Sequence, residues 1–187
     1  FGTIFILRDP QQIPLILYSF VGVSYLGLGF SFFVKVRAWE FPGMLNGGLI
    51  ILGIVVVATW ANDSFAYFAG TLFGKRKLCA LISPAKSWEG AITGTCGAIL
   101  VVIGLGKYFG LPFSMTALFF LGLIVGVSGI LGDLAESGLK RWAGIKDSGN
   151  FFPGHGGVLD RLDSLLFVVP ATYVWIWAAA LLEFFNK

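Results

Sequence analysis

Five long apolar runs constrain the fold of this chain more than any other feature. Each has close to the ~20 residues that an α-helix needs to cross the ~30 Å hydrocarbon core of a bilayer. Hydrophobic residues make up 57% of the 187 residues and charged residues only 12%, too few polar groups to cover a water-soluble domain. The sequence therefore predicts an all-α, polytopic integral membrane bundle with spans at 13–34, 47–73, 91–109, 113–134 and 165–185.

Two polar segments, 74–90 and 135–164, interrupt the apolar pattern. If the five spans alternate in direction, nine basic residues fall on the side of these segments and four on the other. Basic residues collect in cytoplasmic loops, so we expect both segments to be cytoplasmic loops that can build one site. The nine are Arg8, Lys75, Arg76, Lys77, Lys86, Lys140, Arg141, Lys146 and Arg161.

Acidic residues within or next to the predicted spans indicate a functional site. A lone carboxylate at the centre of a membrane helix costs ~2.5–3.5 kcal/mol, so Asp63 and Asp133 should face the bundle interior or a wet cavity. Asp133 begins a helical stripe that continues with Glu136 and Lys140 toward the polar loop. The remaining pair, Asp160 and Asp163, is spaced i, i+3 before the last span.

Converging carboxylates need a partner of positive charge. Two like charges ~4 Å apart repel by about 4 kcal/mol at an effective dielectric constant near 20, and a bound Mg²⁺ would relieve that repulsion. The alternative is pairwise neutralisation of the acids by Lys140, Arg141 and Arg161. The single histidine, His155, lies between glycines and lacks the partners of a zinc site, which favours a hydrogen-bonding role.

Three ordered motifs carry a family resemblance. They read NDSFAY at 62–67, SPAKSWEG at 83–90 and SGLKRWAGIKDSGNFFPGHGGVLDRLD at 137–163. Together they resemble the phosphatidate cytidylyltransferases, also called CDP-diacylglycerol synthases. Two departures are Ala85, which stands where a second basic residue is common, and the absence of the family's additional N-terminal helices. We expect residues 1–187 to form a single transmembrane catalytic domain without those helices.

The resemblance implies a reaction of CTP with phosphatidate at the bilayer that gives CDP-diacylglycerol and pyrophosphate, with Mg²⁺ as cofactor and no nucleic-acid partner. It implies an integral membrane protein with a cytoplasmic active site, in the inner membrane if the source is bacterial, and small-residue helix faces are compatible with a homodimer. The implied catalytic residues are Asp133, Asp160, Lys140, Arg141, Lys146 and Arg161. The implied substrate-binding residues are Ser83, Lys86, Trp88, Glu89, Asp147, His155, Gly156 and Gly157. The implied metal ligands are Asp133, Asp160, Asp63 and Asp163.

Two other functions are compatible with the same pattern. A CTP-dependent kinase of a polyprenol or phytol would use a similar phosphate site but would release CDP instead of pyrophosphate. A membrane transporter would also place acids at membrane depth, and it would move solute without CTP.

Overall fold

The computed structural model describes residues 13–145, 148–149, 157 and 159–181. Its regular elements, in chain order, are α1 (Ile13–Arg37), α2 (Gly47–Phe73), β1 (Lys77–Cys79), β2 (Ser83–Ser87), α3 (Trp88–Tyr108), α4 (Met115–Trp142), α5 (Leu159–Leu162) and α6 (Leu165–Leu181).

The helical membrane bundle predicted from the sequence is confirmed. Five helices in the described residues are long and apolar enough to cross a bilayer, with α5 and α6 together forming the last of them. The second span has the predicted bounds, 47–73. The fourth differs, because α4 continues eight residues past the predicted end at 134, to Trp142. Charged residues end the apolar run there but keep helical spacing, and the basic side chains in the last turn complement the helix dipole.

A small β-hairpin in the segment 74–90 was not predicted. Strands β1 and β2 pair antiparallel, with Lys77 opposite Ser87 and Cys79 opposite Ser83. These strands have no clear pattern in the sequence, since they are only three and five residues long and the second contains a proline. Ser87 ends the hairpin and caps α3, because its Oγ accepts a hydrogen bond from Gly90 N at 3.1 Å.

Glycines allow α2, α3 and α4 to pack in close succession. A Cβ atom added at Gly94 of α3 would lie 2.6 Å from the backbone oxygen of Asn62 on α2. One added at Gly122 of α4 would lie 2.5 Å from the Cα of Ile99 on α3. These backbones approach as closely as small residues permit in membrane helices.

The buried core and the polar residues lie in different halves of the bundle. The core joins the early part of α2 to the late part of α3, the early part of α4 and the middle of α6, through side chains such as Ile54, Val102, Leu121 and Val168. The late part of α2 and of α4, the segment 74–90 and the start of the last span instead carry most of the acidic and basic side chains of the described residues. The apolar half therefore supports a polar half at one end of the spans.

Candidate active site

A cavity of about 260 Å³ lies in the polar half, between α2, the hairpin, α3 and α4. Its wall contains the predicted site residues Asp63, Lys86 and Asp133. The hairpin contributes Lys86, while the two acids come from different membrane helices. The bundle thus brings together residues from two of the three sequence motifs at one concave surface.

Lys86 and Asp133 form an ion pair at this cavity. Lys86 Nζ lies 2.5 Å from Asp133 Oδ2, and neither side chain is fully exposed. Ser137, one turn later on α4, donates a longer hydrogen bond of 3.4 Å to Asp133 Oδ1. The negative charge of Asp133 is also close enough to act on the carboxylates of Asp63 and Asp163. A lysine from the hairpin therefore points into a group of acids from α2, α4 and the start of the last span.

A second ion-pair network lies two turns farther along α4. Lys140 Nζ is 2.7 Å from Glu136 Oε2 and 2.7 Å from Asp160 Oδ1. Glu136 is only 2% exposed, so its charge is compensated chiefly by this lysine. Since the rise of an α-helix is ~1.5 Å per residue, about 10 Å of helix separates the Cα atoms of Asp133 and Lys140. Asp133 therefore pairs with Lys86, whereas Asp160 pairs with Lys140 about two helical turns away.

Asp160 is the most heavily hydrogen-bonded acid of the site. Its Oδ2 accepts hydrogen bonds from Ser148 N at 2.9 Å, Ser148 Oγ at 2.7 Å and Gly157 N at 2.7 Å. Its Oδ1 accepts from Lys140 Nζ at 2.7 Å. A carboxylate oxygen with three donors has no lone pair left, so Asp160 holds two points of the polar loop against α4. Pairwise neutralisation, the alternative to a metal, is thus seen for Asp133 and for Asp160, although Lys86 was not among the residues proposed to provide it.

The other predicted residues that the structure describes lie outside the cavity wall. Glu89 binds the link between α2 and β1, since its carboxylate accepts hydrogen bonds from Lys75 N at 3.2 Å and Arg76 N at 3.3 Å. Trp88 is exposed at the first position of α3, and Ser83 begins β2. Arg141 lies in the last turn of α4, Arg161 lies on α5, and Gly157 N donates to Asp160. The catalytic or binding roles of these three residues remain predictions.

Four predicted residues lie outside the described residues. They are Lys146, Asp147, His155 and Gly156. Their assignments rest on the motif alone.

The carboxylates fit a divalent cation by chemistry, because Mg²⁺ prefers hard oxygen ligands. Asp63, Asp133 and Asp163 are the best candidates, as they influence one another electrostatically and come from three elements. Asp160 fits less well, since both of its oxygens already accept hydrogen bonds. Within the described residues, no three acidic, histidine or cysteine side chains already stand as a metal-binding group. Mg²⁺ therefore stays a prediction.

Two site residues were not identified as such from the sequence. Glu136 belongs to the acidic stripe, and only its burial against Lys140 distinguishes it from a solvated acid. Asn62 is 1% exposed and lines the cavity beside Asp63. The sequence signal for Asn62 was a polar amide within an apolar run, because burying such a group without a hydrogen bond costs free energy.

Comparison with known proteins identifies the family. Residues 5–179 match the Cytidylyltransferase family, which is most of the chain. The chain belongs to the cytidylyltransferase family. This confirms the family resemblance that the three motifs indicated.

Curated relatives of this family member carry a more specific name. The phosphatidate cytidylyltransferase of Staphylococcus aureus (strain COL) is 42% identical over 155 residues, which cover 82% of this chain and 56% of the relative. That of Pseudomonas aeruginosa PAO1 is 41% identical over 185 residues, which cover 95% of this chain and 65% of the relative. The chain thus spans roughly three fifths of the length of the curated relatives it matches.

Proposed function

We propose that this protein transfers the cytidylyl group of CTP to phosphatidate, giving CDP-diacylglycerol and pyrophosphate for phospholipid synthesis. Membership of the cytidylyltransferase family and the names of its curated relatives support this reaction. The observation that carries it is the seating of Lys86 beside Asp133 in a cavity between membrane helices. A cation and acids at that position suit a reaction between two phosphate esters at a lipid surface.

The reaction brings two anions together. A phosphate oxygen of phosphatidate attacks the α-phosphorus of CTP, the bond from that phosphorus to the β-phosphate oxygen breaks, and pyrophosphate leaves with the electron pair. No protein nucleophile is needed, because the lipid phosphate is already ionised. Lys86 and Lys140 offset the negative charge of the reactants, and α4 fixes the spacing between the acids that hold them.

Mg²⁺ is the proposed cofactor. Asp63, Asp133 and Asp163 are the side chains that would hold it, and it would neutralise phosphate charge in the site. Chelation by EDTA should then stop the reaction and added Mg²⁺ should restore it.

The proposed orientation places the cavity at the cytoplasmic face, which in a bacterium means the inner membrane. The nine basic residues on that side support this orientation. Inside-out membrane vesicles should then use external CTP without permeabilisation, whereas right-side-out vesicles should not. A homodimer through small-residue helix faces is the proposed assembly, and cross-linking in native membranes tests it.

The test of the reaction is an assay of the purified protein with α-labelled CTP, phosphatidate and Mg²⁺. We expect labelled CDP-diacylglycerol and an equal amount of pyrophosphate. Release of CDP with phosphorylation of a polyprenol acceptor would instead support the lipid kinase, and solute flux into liposomes without CTP would support a transporter. The variant Lys86→Met should be inactive, while Lys107→Met, at the opposite end of α3, is the matched control.

A further inference from the structure

The link between α2 and β1 lies at the edge of the hydrocarbon core. Helix α3 has 21 residues, and at a rise of ~1.5 Å per residue it matches the ~30 Å thickness of that core. Trp88, its first residue, therefore lies at the boundary with the headgroups. The backbone N–H of Trp88 donates a hydrogen bond of 2.9 Å to Arg76 O, so the link lies at the same depth.

The tip of the hairpin, residues 80–82, lies at headgroup depth by a separate observation. Helix α4 has 28 residues, so it is longer than the core is thick, and its last turns extend beyond the core at this end. A Cβ atom added at Gly138, in those last turns, would lie 3.9 Å from the side chain of Ile82. The whole hairpin is therefore placed against the headgroup layer.

The exposed side chains at this depth combine positive charge with an apolar group. Lys75, Arg76 and Lys77 are exposed, lie outside the cavity wall and form no ion pair within the part of the chain that the structure describes. The carboxylate of Glu89 is close to them but already accepts hydrogen bonds from two backbone N–H groups of the link. Leu81, at the tip, is 96% exposed. Such a combination suits an interface between water and lipid, where an apolar side chain and cations are both stabilised.

We propose that Lys75, Arg76, Lys77 and Leu81 form a docking surface for anionic phospholipid headgroups in the adjoining leaflet. The negative potential of an anionic leaflet favours each basic residue by about fivefold in the docking equilibrium, and Leu81 enters the boundary between headgroups and acyl chains. Strand β2 of the same hairpin carries Lys86, so docking makes the position of this lysine at the cavity depend on the charge of the surrounding lipid. The proposal requires only that the helices span a membrane, and it is independent of the proposed reaction.

The test measures the water exposure of the hairpin tip in the full-length protein, without CTP or turnover. The native cysteines, Cys79 and Cys96 among them, are replaced by serine, and an apolar fluorescent label is attached through Leu81→Cys. The protein is placed in nanodiscs of phosphatidylcholine, alone or with about one third phosphatidylglycerol. Acrylamide, a neutral quencher, should reach the label about threefold less effectively when the anionic lipid is present. Salt at about 1 M, where the Debye length is ~3 Å, should remove the difference.

The triple variant Lys75→Gln/Arg76→Gln/Lys77→Gln should lose this dependence on anionic lipid, because its three charges together change the docking equilibrium by about 100-fold. Its fold should be retained, since Glu89 binds backbone N–H groups of the link and not these side chains. If the variant nevertheless fails to fold, the salt titration of the protein with its basic residues intact decides the question.

The matched control is a label attached through Leu45→Cys, at the opposite end of α2. Leu45 is 87% exposed, and its loop, residues 38–46, holds one acidic residue and no basic one, so its quenching should be the same in both lipids. Equal quenching at position 81 in both lipids would overturn the proposal, as would a difference that survives the triple variant or high salt. Protection in phosphatidylcholine alone that requires two protomers in each nanodisc would also overturn it, and would place a second copy of the chain over the hairpin.

Discussion

Removal of the Lys140 ammonium should destabilise the fold, because it leaves the carboxylates of Glu136 and Asp160 close together without a cation between them. The oxygens of Glu136 and Asp160 each lie 2.7 Å from Lys140 Nζ, so they are no more than twice that distance apart. In Lys140→Met, two carboxylates about 5 Å apart would repel by about 3 kcal/mol at an effective dielectric constant near 20. This agrees with the ~3–5 kcal/mol that the loss of one partner of a buried ion pair typically costs.

The double variant Lys140→Met/Glu136→Gln separates stability from activity. Removing the Glu136 charge takes away the repulsion, so the double variant should regain most of the ~3 kcal/mol, while cytidylyl transfer stays low because the cation remains absent. Unfolding is followed by SDS titration in mixed micelles, and activity by transfer from labelled CTP. If Lys140→Met is as stable as the wild type, or if the second substitution restores no stability, the proposed compensation by Lys140 is wrong.

Three further variants test the site and its support. Lys86→Met should lower transfer at least 100-fold with little change in unfolding, and an activity within threefold of the Lys107→Met control would contradict a role for Lys86 in phosphate binding. Glu89→Gln weakens the hydrogen bonds from the backbone N–H groups of Lys75 and Arg76, between α2 and β1, so hydrogen exchange should be faster at these two amides, and unchanged protection would show that the carboxylate does not hold this link. Gly122→Ala should destabilise the bundle by about 1–3 kcal/mol in SDS titration, because its Cβ meets backbone of α3, whereas Gly104→Ala, which meets nothing within 4 Å, should not.

The sequence predicts the membrane helices well because each span is a long apolar run between charged or turn residues. The second span agrees at both ends, and the fourth fails only where α4 continues as a charged helix to Trp142. Helical spacing of Asp133 and Lys140 was visible in that segment, but hydropathy alone ends the span before it. The hairpin was missed for another reason: its strands depend on pairing between segments that are too short to have a clear pattern of their own.

Pairing between distant charges was the least predictable part of the site. Lys86 and Asp133 are separated by a full membrane helix, and nothing in their local sequence specifies which acid the lysine contacts. The resemblance identified Asp160 as an acid of the site, yet its three donors at Oδ2 show a loop-binding role that spacing could not reveal. Such roles depend on how the bundle closes, which is a tertiary property.

The cavity draws its wall from α2, the hairpin, α3 and α4, and its ion pair joins a residue of the hairpin to one of α4. Neither the hairpin nor any one helix therefore contains the complete cavity or both members of its ion pair. A chain that has inserted into the bilayer but has not yet assembled its helices would therefore lack the proposed activity, and the proposed use of CTP would begin only when assembly is complete.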